Sequence, residues 1–111
     1  MRWTMPTILE NVLIEEYDRS RRMAICYEEE IASLPKGYIR EKIIKGHTYY
    51  YLQYREGTRV RSKYIPKSEL DDLRDKLKRR EEYVEARKAR LKEMRQIERA
   101  LGKRFINEHT D

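Results

Sequence analysis

The stretch YIREKIIKGHTYYYLQYREGTRVRSKYI, residues 38–65, decides how the chain folds. It is dense in Tyr, Ile and Val, residue types that suit a pleated, half-buried surface. Lys45-Gly46 and Glu56-Gly57 punctuate it. The pattern predicts three antiparallel strands, Tyr38–Ile44, His47–Tyr54 and Thr58–Ile65, joined by tight turns. A two-residue loop at Lys45-Gly46 sets Lys42 opposite Tyr49 and Ile39 opposite Leu52. For the second hairpin two loops compete. A two-residue Glu56-Gly57 loop puts Val60 on the face of Tyr51 and Gln53. A three-residue Arg55-Glu56-Gly57 loop, with Gly57 left-handed in a bulge, puts Val60 opposite Leu52. Only the three-residue loop sorts side chains by polarity. A one-residue slip would bury the arginines, so this is the register expected. One face then carries Ile39, Ile43, Tyr50, Leu52, Tyr54, Val60 and Tyr64. The other carries Arg40, Lys42, Tyr49, Tyr51, Gln53, Arg59, Arg61 and Lys63.

Both flanks of this segment read as helix. On the N-terminal side Leu13, Tyr17, Ser20, Ala24, Tyr27, Ile31 and Leu34 alternate at spacings of four and three, which is one stripe of a helix. Pro6 suits the first turn, where its missing N–H would be unpaired anyway. Pro35 and Gly37 end the helix near Ser33. On the C-terminal side Ser68 and Asp71 resemble a capping box. Leu70, Leu77, Val84 and Leu91 then recur every seven residues as candidate helix-pairing positions. Leu73 and Met94 flank them, while Arg80 and Arg87 interrupt the second seam. Ile97 and Leu101 carry the stripe on, Gly102 stops it, and Phe105 is placed as a final anchor. Such a helix measures roughly 50 Å at 1.5 Å per residue and needs a partner along its stripe. The first helix, lying antiparallel, could supply it, and so could a second copy of the chain in a homodimer. The expected class is therefore α+β: an N-terminal helix in 1–35, a basic three-stranded meander in 36–67, and a long coiled-coil-type helix with a short tail in 68–111. The three together form one structural domain.

Charged residues make up 41% of the 111 residues, against about a quarter in an average soluble protein. No apolar run approaches the roughly 20 residues of a membrane span, and the N-terminus lacks the apolar core of a secretory leader. The lone Cys26 excludes an internal disulfide and a cysteine-based zinc site, and it fits a reducing, cytoplasmic setting. The formal charge of +6 is unevenly spread. Residues 36–67 hold nine basic and two acidic side chains, more than the whole excess. A polyanion would be drawn to that segment.

Catalytic constellations are missing. His47 beside a turn and His109 in the tail have no neighbours at metal-ligand spacing, and the glycines form no phosphate loop. Cys26 reads as packing beside the apolar stripe. Glu28, Glu29 and Glu30 read as a solvated face with a charge partner on the basic helix, and Asp71-Asp72 as favourable charge in a first turn. No base is placed to activate a tyrosine. The sequence predicts a non-enzymatic protein with neither metal nor cofactor. The specific signal is the basic, tyrosine-bearing sheet face of Arg40, Lys42, Tyr49, Tyr51, Gln53, Arg59, Arg61 and Lys63. Arg and Lys meet phosphates, Gln53 can read a base edge, and tyrosine planes suit stacking on unpaired bases. Competing readings of this face are contact with an acidic protein surface and a merely solvated strand surface.

The run Leu34-Pro35-Lys36-Gly37-x-Ile39, the run from Ile44 through Tyr49-Tyr50-Tyr51-Leu52-Gln53-Tyr54-Arg55-Glu56-Gly57, and Ser62-Lys63-Tyr64-Ile65-Pro66 resemble a family of small, uncharacterised prokaryotic and phage-borne proteins. These share a short β-segment followed by a long charged helix. The resemblance covers about Leu34 to Leu91 and implies the fold, with no activity to transfer. By pattern the segment is also similar to the arm-type DNA-binding domain that precedes the catalytic domain of tyrosine recombinases. That resemblance implies a sheet face entering the major groove through the same eight residues. It departs in carrying no catalytic domain and a much longer final helix, so only the binding mode is implied. The function expected is nucleic-acid binding. One alternative is a phage-borne, anti-CRISPR-like inhibitor of a nucleic-acid-handling host defence protein. The other is a coiled-coil assembly protein.

Overall fold

A computed structural model describes residues 6–102. Helix α1 (Ile8–Ser33) precedes strands β1 (Tyr38–Ile44), β2 (His47–Glu56) and β3 (Arg59–Ile65), and helix α2 (Lys67–Leu101) follows. The strands form one antiparallel sheet in the order β1-β2-β3. The class and element order are those expected; Phe105 and His109 lie outside the described residues.

The helix ends follow local hydrogen-bond chemistry. The Thr7 hydroxyl accepts from the Glu10 N–H at 3.1 Å, and the Glu10 carboxylate accepts from the Thr7 N–H at 3.1 Å. This reciprocal capping box starts α1 after Thr7, so Pro6 stands outside the helix rather than in its first turn. At the start of α2 the Glu69 N–H donates to the Pro66 carbonyl at 3.0 Å, and Ser68 falls inside the first turn instead of capping it. Gly102 ends α2 as expected. Its φ is 85° and its N–H donates to the Glu98 carbonyl at 2.9 Å.

The first hairpin has the expected register, with Lys42 opposite Tyr49 and Ile39 opposite Leu52. Lys45 and Gly46 have φ of 51° and 81°, the paired left-handed conformation of a type I′ turn. The second hairpin does not. Glu56 pairs with Arg59, so the loop is Gly57-Thr58. Gly57 is left-handed as expected, with φ of 61°, but it is the first residue of a two-residue turn in the II′ manner, not part of a bulge. Leu52 consequently faces Lys63 rather than Val60. An odd shift turns every β3 side chain to the other face. Arg59, Arg61 and Lys63 share the face of Leu52, and Val60 and Tyr64 share that of Tyr51.

The reason is how little of β3 must be buried. Ile65 is 6% exposed, while the rest of the strand is exposed on both faces. Leu52, Ile65, Leu70 and Leu73 form a buried cluster, with Ile39, Tyr50, Tyr54 and Leu77 against it. The cluster needs β3 only at its C-terminal end. Arginines further along the same face stay in solvent, where Arg61 pairs with Glu56 at 3.3 Å. Sorting by polarity presumed a face covered along its whole length.

Contacts divide the chain into two compact units, Glu30–Tyr83 and the residues up to Glu29 together with those from Val84. The first holds the sheet and its cluster, so Leu70 and Leu77, expected to pair helices, pack against the sheet. In the second, α1 runs antiparallel to the C-terminal part of α2. The Tyr17 hydroxyl donates to Glu98 at 3.0 Å, Ser20 to Glu93 at 3.3 Å, and Arg90 to Glu16 at 3.5 Å. Glu28 meets Arg87 at 4.0 Å, the charge partner anticipated for that acidic run. Ser20 and Ala24 are buried on the α1 stripe, and Val84 and Leu91 are half-buried on α2. Cys26 is exposed, contrary to its expected packing role. Two residues beyond Ala24, it has rotated some 200° from that stripe.

Candidate nucleic-acid interface

Strand alternation and the two registers determine what the sheet presents away from the Leu52 cluster. β1 contributes Tyr38, Arg40, Lys42 and Ile44, β2 contributes His47, Tyr49, Tyr51, Gln53 and Arg55, and β3 contributes Val60, Ser62 and Tyr64. Opposed partners form rows across the strands: Lys42 with Tyr49, Arg40 with Tyr51 and Tyr64, Tyr38 with Gln53 and Ser62, and Arg55 with Val60. Neighbouring strands lie about 4.8 Å apart and successive rows about 6.8 Å apart.

Within this grid cations and rings position one another. The Arg40 guanidinium lies over the Tyr38 ring at 4.9 Å, and its Nε–H donates to the Gln53 side-chain oxygen at 3.0 Å. The Lys42 ammonium lies over the Tyr51 ring at 5.0 Å. Tyr51 and Tyr64 meet edge to face, with centroids 5.9 Å apart and planes inclined at 69°. Cation–π and edge-to-face contacts hold long side chains in defined positions, which lowers the entropy a ligand would otherwise have to remove. Tyr38 and Tyr64 are 55% and 52% exposed.

Charge is sorted between the faces. The open face carries Arg40, Lys42 and Arg55 without a carboxylate. Glu41 and Glu56, the acids of this segment, both alternate to the other side, where they accompany Arg59, Arg61 and Lys63. At one end the open face runs into a cleft of about 380 Å³ lined by Lys36, Gly37, Tyr38, Gln53 and Arg55 among others. Gly37, with φ of 122°, brings the chain against the Gln53 carbonyl, so closely that a Cβ there would collide with it.

The structure therefore brings together Arg40, Lys42, Tyr49, Tyr51 and Gln53, and separates Arg59, Arg61 and Lys63 from them. It adds Tyr38, Arg55 and Tyr64. Tyr38 was legible from its parity with Arg40. Arg55 and Tyr64 were hidden by the assumed loop, although Gly57-Thr58 fits the Gly-X form of a two-residue hairpin turn. Among the described residues no group of His, Cys, Asp and Glu could hold a metal ion, and no helix is long and apolar enough to cross a membrane.

A model of the family described as "Domain of unknown function (DUF6788)" matches residues 13–75. No curated protein and no solved structure matches the chain.

Proposed function

The chain belongs to the DUF6788 family, a domain of unknown function, and from the geometry of its sheet we propose that it binds nucleic acid through the open face. The observation that carries this reading is the sorting of charge. A strand surface needing only solubility would mix signs, whereas here both carboxylates of the segment lie on the opposite face from Arg40, Lys42 and Arg55. Cations without competing carboxylates attract phosphates and release their counterions. The Gln53 amide, anchored through its oxygen by Arg40, keeps its NH₂ donors for a base or a phosphate. The tyrosine rings supply planar apolar area beside the charge. The role is binding rather than catalysis.

The test is fluorescence anisotropy with labelled 30-mers, single- and double-stranded, of DNA and of RNA, at 50 mM salt. Binding to at least one at micromolar protein is expected, since non-specific binders reach dissociation constants of about 10⁻⁴–10⁻⁶ M even at physiological salt. Failure to bind any of the four contradicts the proposal.

A further inference from the structure

We infer that the ligand of this face is one unpaired nucleic-acid strand and not a duplex, an inference that rests on the binding reading above. The reason lies in the corrected register. A duplex groove is walled by two phosphate backbones with base edges between them. A sheet entering it would be served by cations along both of its outward edges. This sheet has them along one. Arg40 and Lys42 stand on the outward side of β1, with Lys36 just before it, while the outward side of β3 offers Val60, Ser62 and Tyr64. The β3 cations Arg59, Arg61 and Lys63 lie on the other face, and Arg61 is engaged by Glu56 at 3.3 Å. One phosphate wall would be met and its companion would not.

A single strand has one backbone and exposes the faces of its bases. β1 supplies one track of charge. Tyr38, Tyr51 and Tyr64, on three successive strands, supply rings beside it. Tyr38 and Tyr64 are each more than half exposed, with the Arg40 guanidinium over one side of the Tyr38 ring; the ring area left open is of use to bases lifted from a helical stack, because a duplex offers its groove edges alone. Tyr51 and Tyr64 are inclined at 69°, so bases resting on them would be splayed from one another. Splayed, separately stacked bases are how unpaired strands are held.

The test compares the full chain on a 15-nucleotide U-tract RNA, a 15-nucleotide T-tract DNA, a 15-base-pair duplex and poly-glutamate. Either single strand is expected to bind at least tenfold more tightly than the duplex, and the two tracts report whether the 2′-hydroxyl matters. Tyr64→Ala and Tyr38→Ala, at exposed positions, should each weaken single-strand binding by roughly fivefold or more, and Tyr64→Phe should retain it. Circular dichroism confirms that the variants fold. Tighter duplex binding with Tyr64→Ala silent would overturn the inference while leaving nucleic-acid binding intact. Poly-glutamate binding as tightly as either tract would overturn it in favour of a general acidic ligand. Absence of binding to every probe would remove both this inference and the reading beneath it.

Discussion

Leu52 of β2 stands directly opposite Lys63 of β3. Leu52 is 7% exposed within the sheet–helix cluster, while Lys63 is exposed. The pair marks the border of the buried patch. Lys63 lines the adjoining groove together with Glu69 and Asp72 of α2, where its apolar stem can cover the sheet and its ammonium can remain in water. Strand alternation carries the consequence along β3. With Lys63 on this side, Ser62 and Tyr64 must be on the other, and the cations of β3 are withdrawn from the surface that Arg40 and Lys42 occupy.

The turn that holds this register depends on Gly57. At a φ of 61° a β-branched side chain is strained, so Gly57→Val should destabilise the protein by about 1–2 kcal/mol. Urea denaturation followed by circular dichroism measures it. An unchanged midpoint would mean that the II′-type turn is not what sets the pairing.

Much of the fold was legible in the sequence because its cues are local. Pro35 and Gly37 closed α1, Gly102 stopped α2, and Lys45-Gly46 placed the first hairpin in register, whereas the Thr7–Glu10 capping box that starts α1 went unread. The second hairpin departs from the expected register because that register requires β3 to hide its apolar side chains. Val60 and Tyr64 are 57% and 52% exposed, and only Ile65 is needed inside. Turn preference acts within four residues, whereas burial depends on how far α2 covers the sheet, which strand periodicity does not report. The seven-residue spacing of Leu70, Leu77, Val84 and Leu91 had the same weakness. It reveals a buried stripe but not its partner, and the stripe meets the sheet at Leu70 and Leu77.

Tyr17 gives the helical unit a pH dependence. Burial, and next its hydrogen bond to Glu98 and that carboxylate's charge, hold the hydroxyl above its ordinary pKa of 10.0. The folded chain therefore keeps this proton at a pH where the unfolded chain has released it. The stabilisation is complete below the unfolded value and is lost as pH rises through the folded one. Urea midpoints measured from about pH 8 to 11 should fall less steeply for Tyr17→Phe than for the parent chain. Equal slopes would show that the Tyr17 hydroxyl contributes nothing to alkaline sensitivity.

The claim that one sheet face binds and the other does not is tested most directly by salt dependence in two double variants that remove the same net charge. Arg40→Ala with Lys42→Ala strips the β1 track, whereas Arg59→Ala with Arg61→Ala strips the opposite face. Each phosphate contact on a single strand contributes about 0.7 to the slope of log K against log[salt], so the first pair should lower its magnitude by about 1.4 and the second by less than about 0.3. Matched net charge cancels the long-range attraction common to both. The account predicts that order; equal losses from the two pairs, or a larger loss from Arg59 and Arg61, would contradict it.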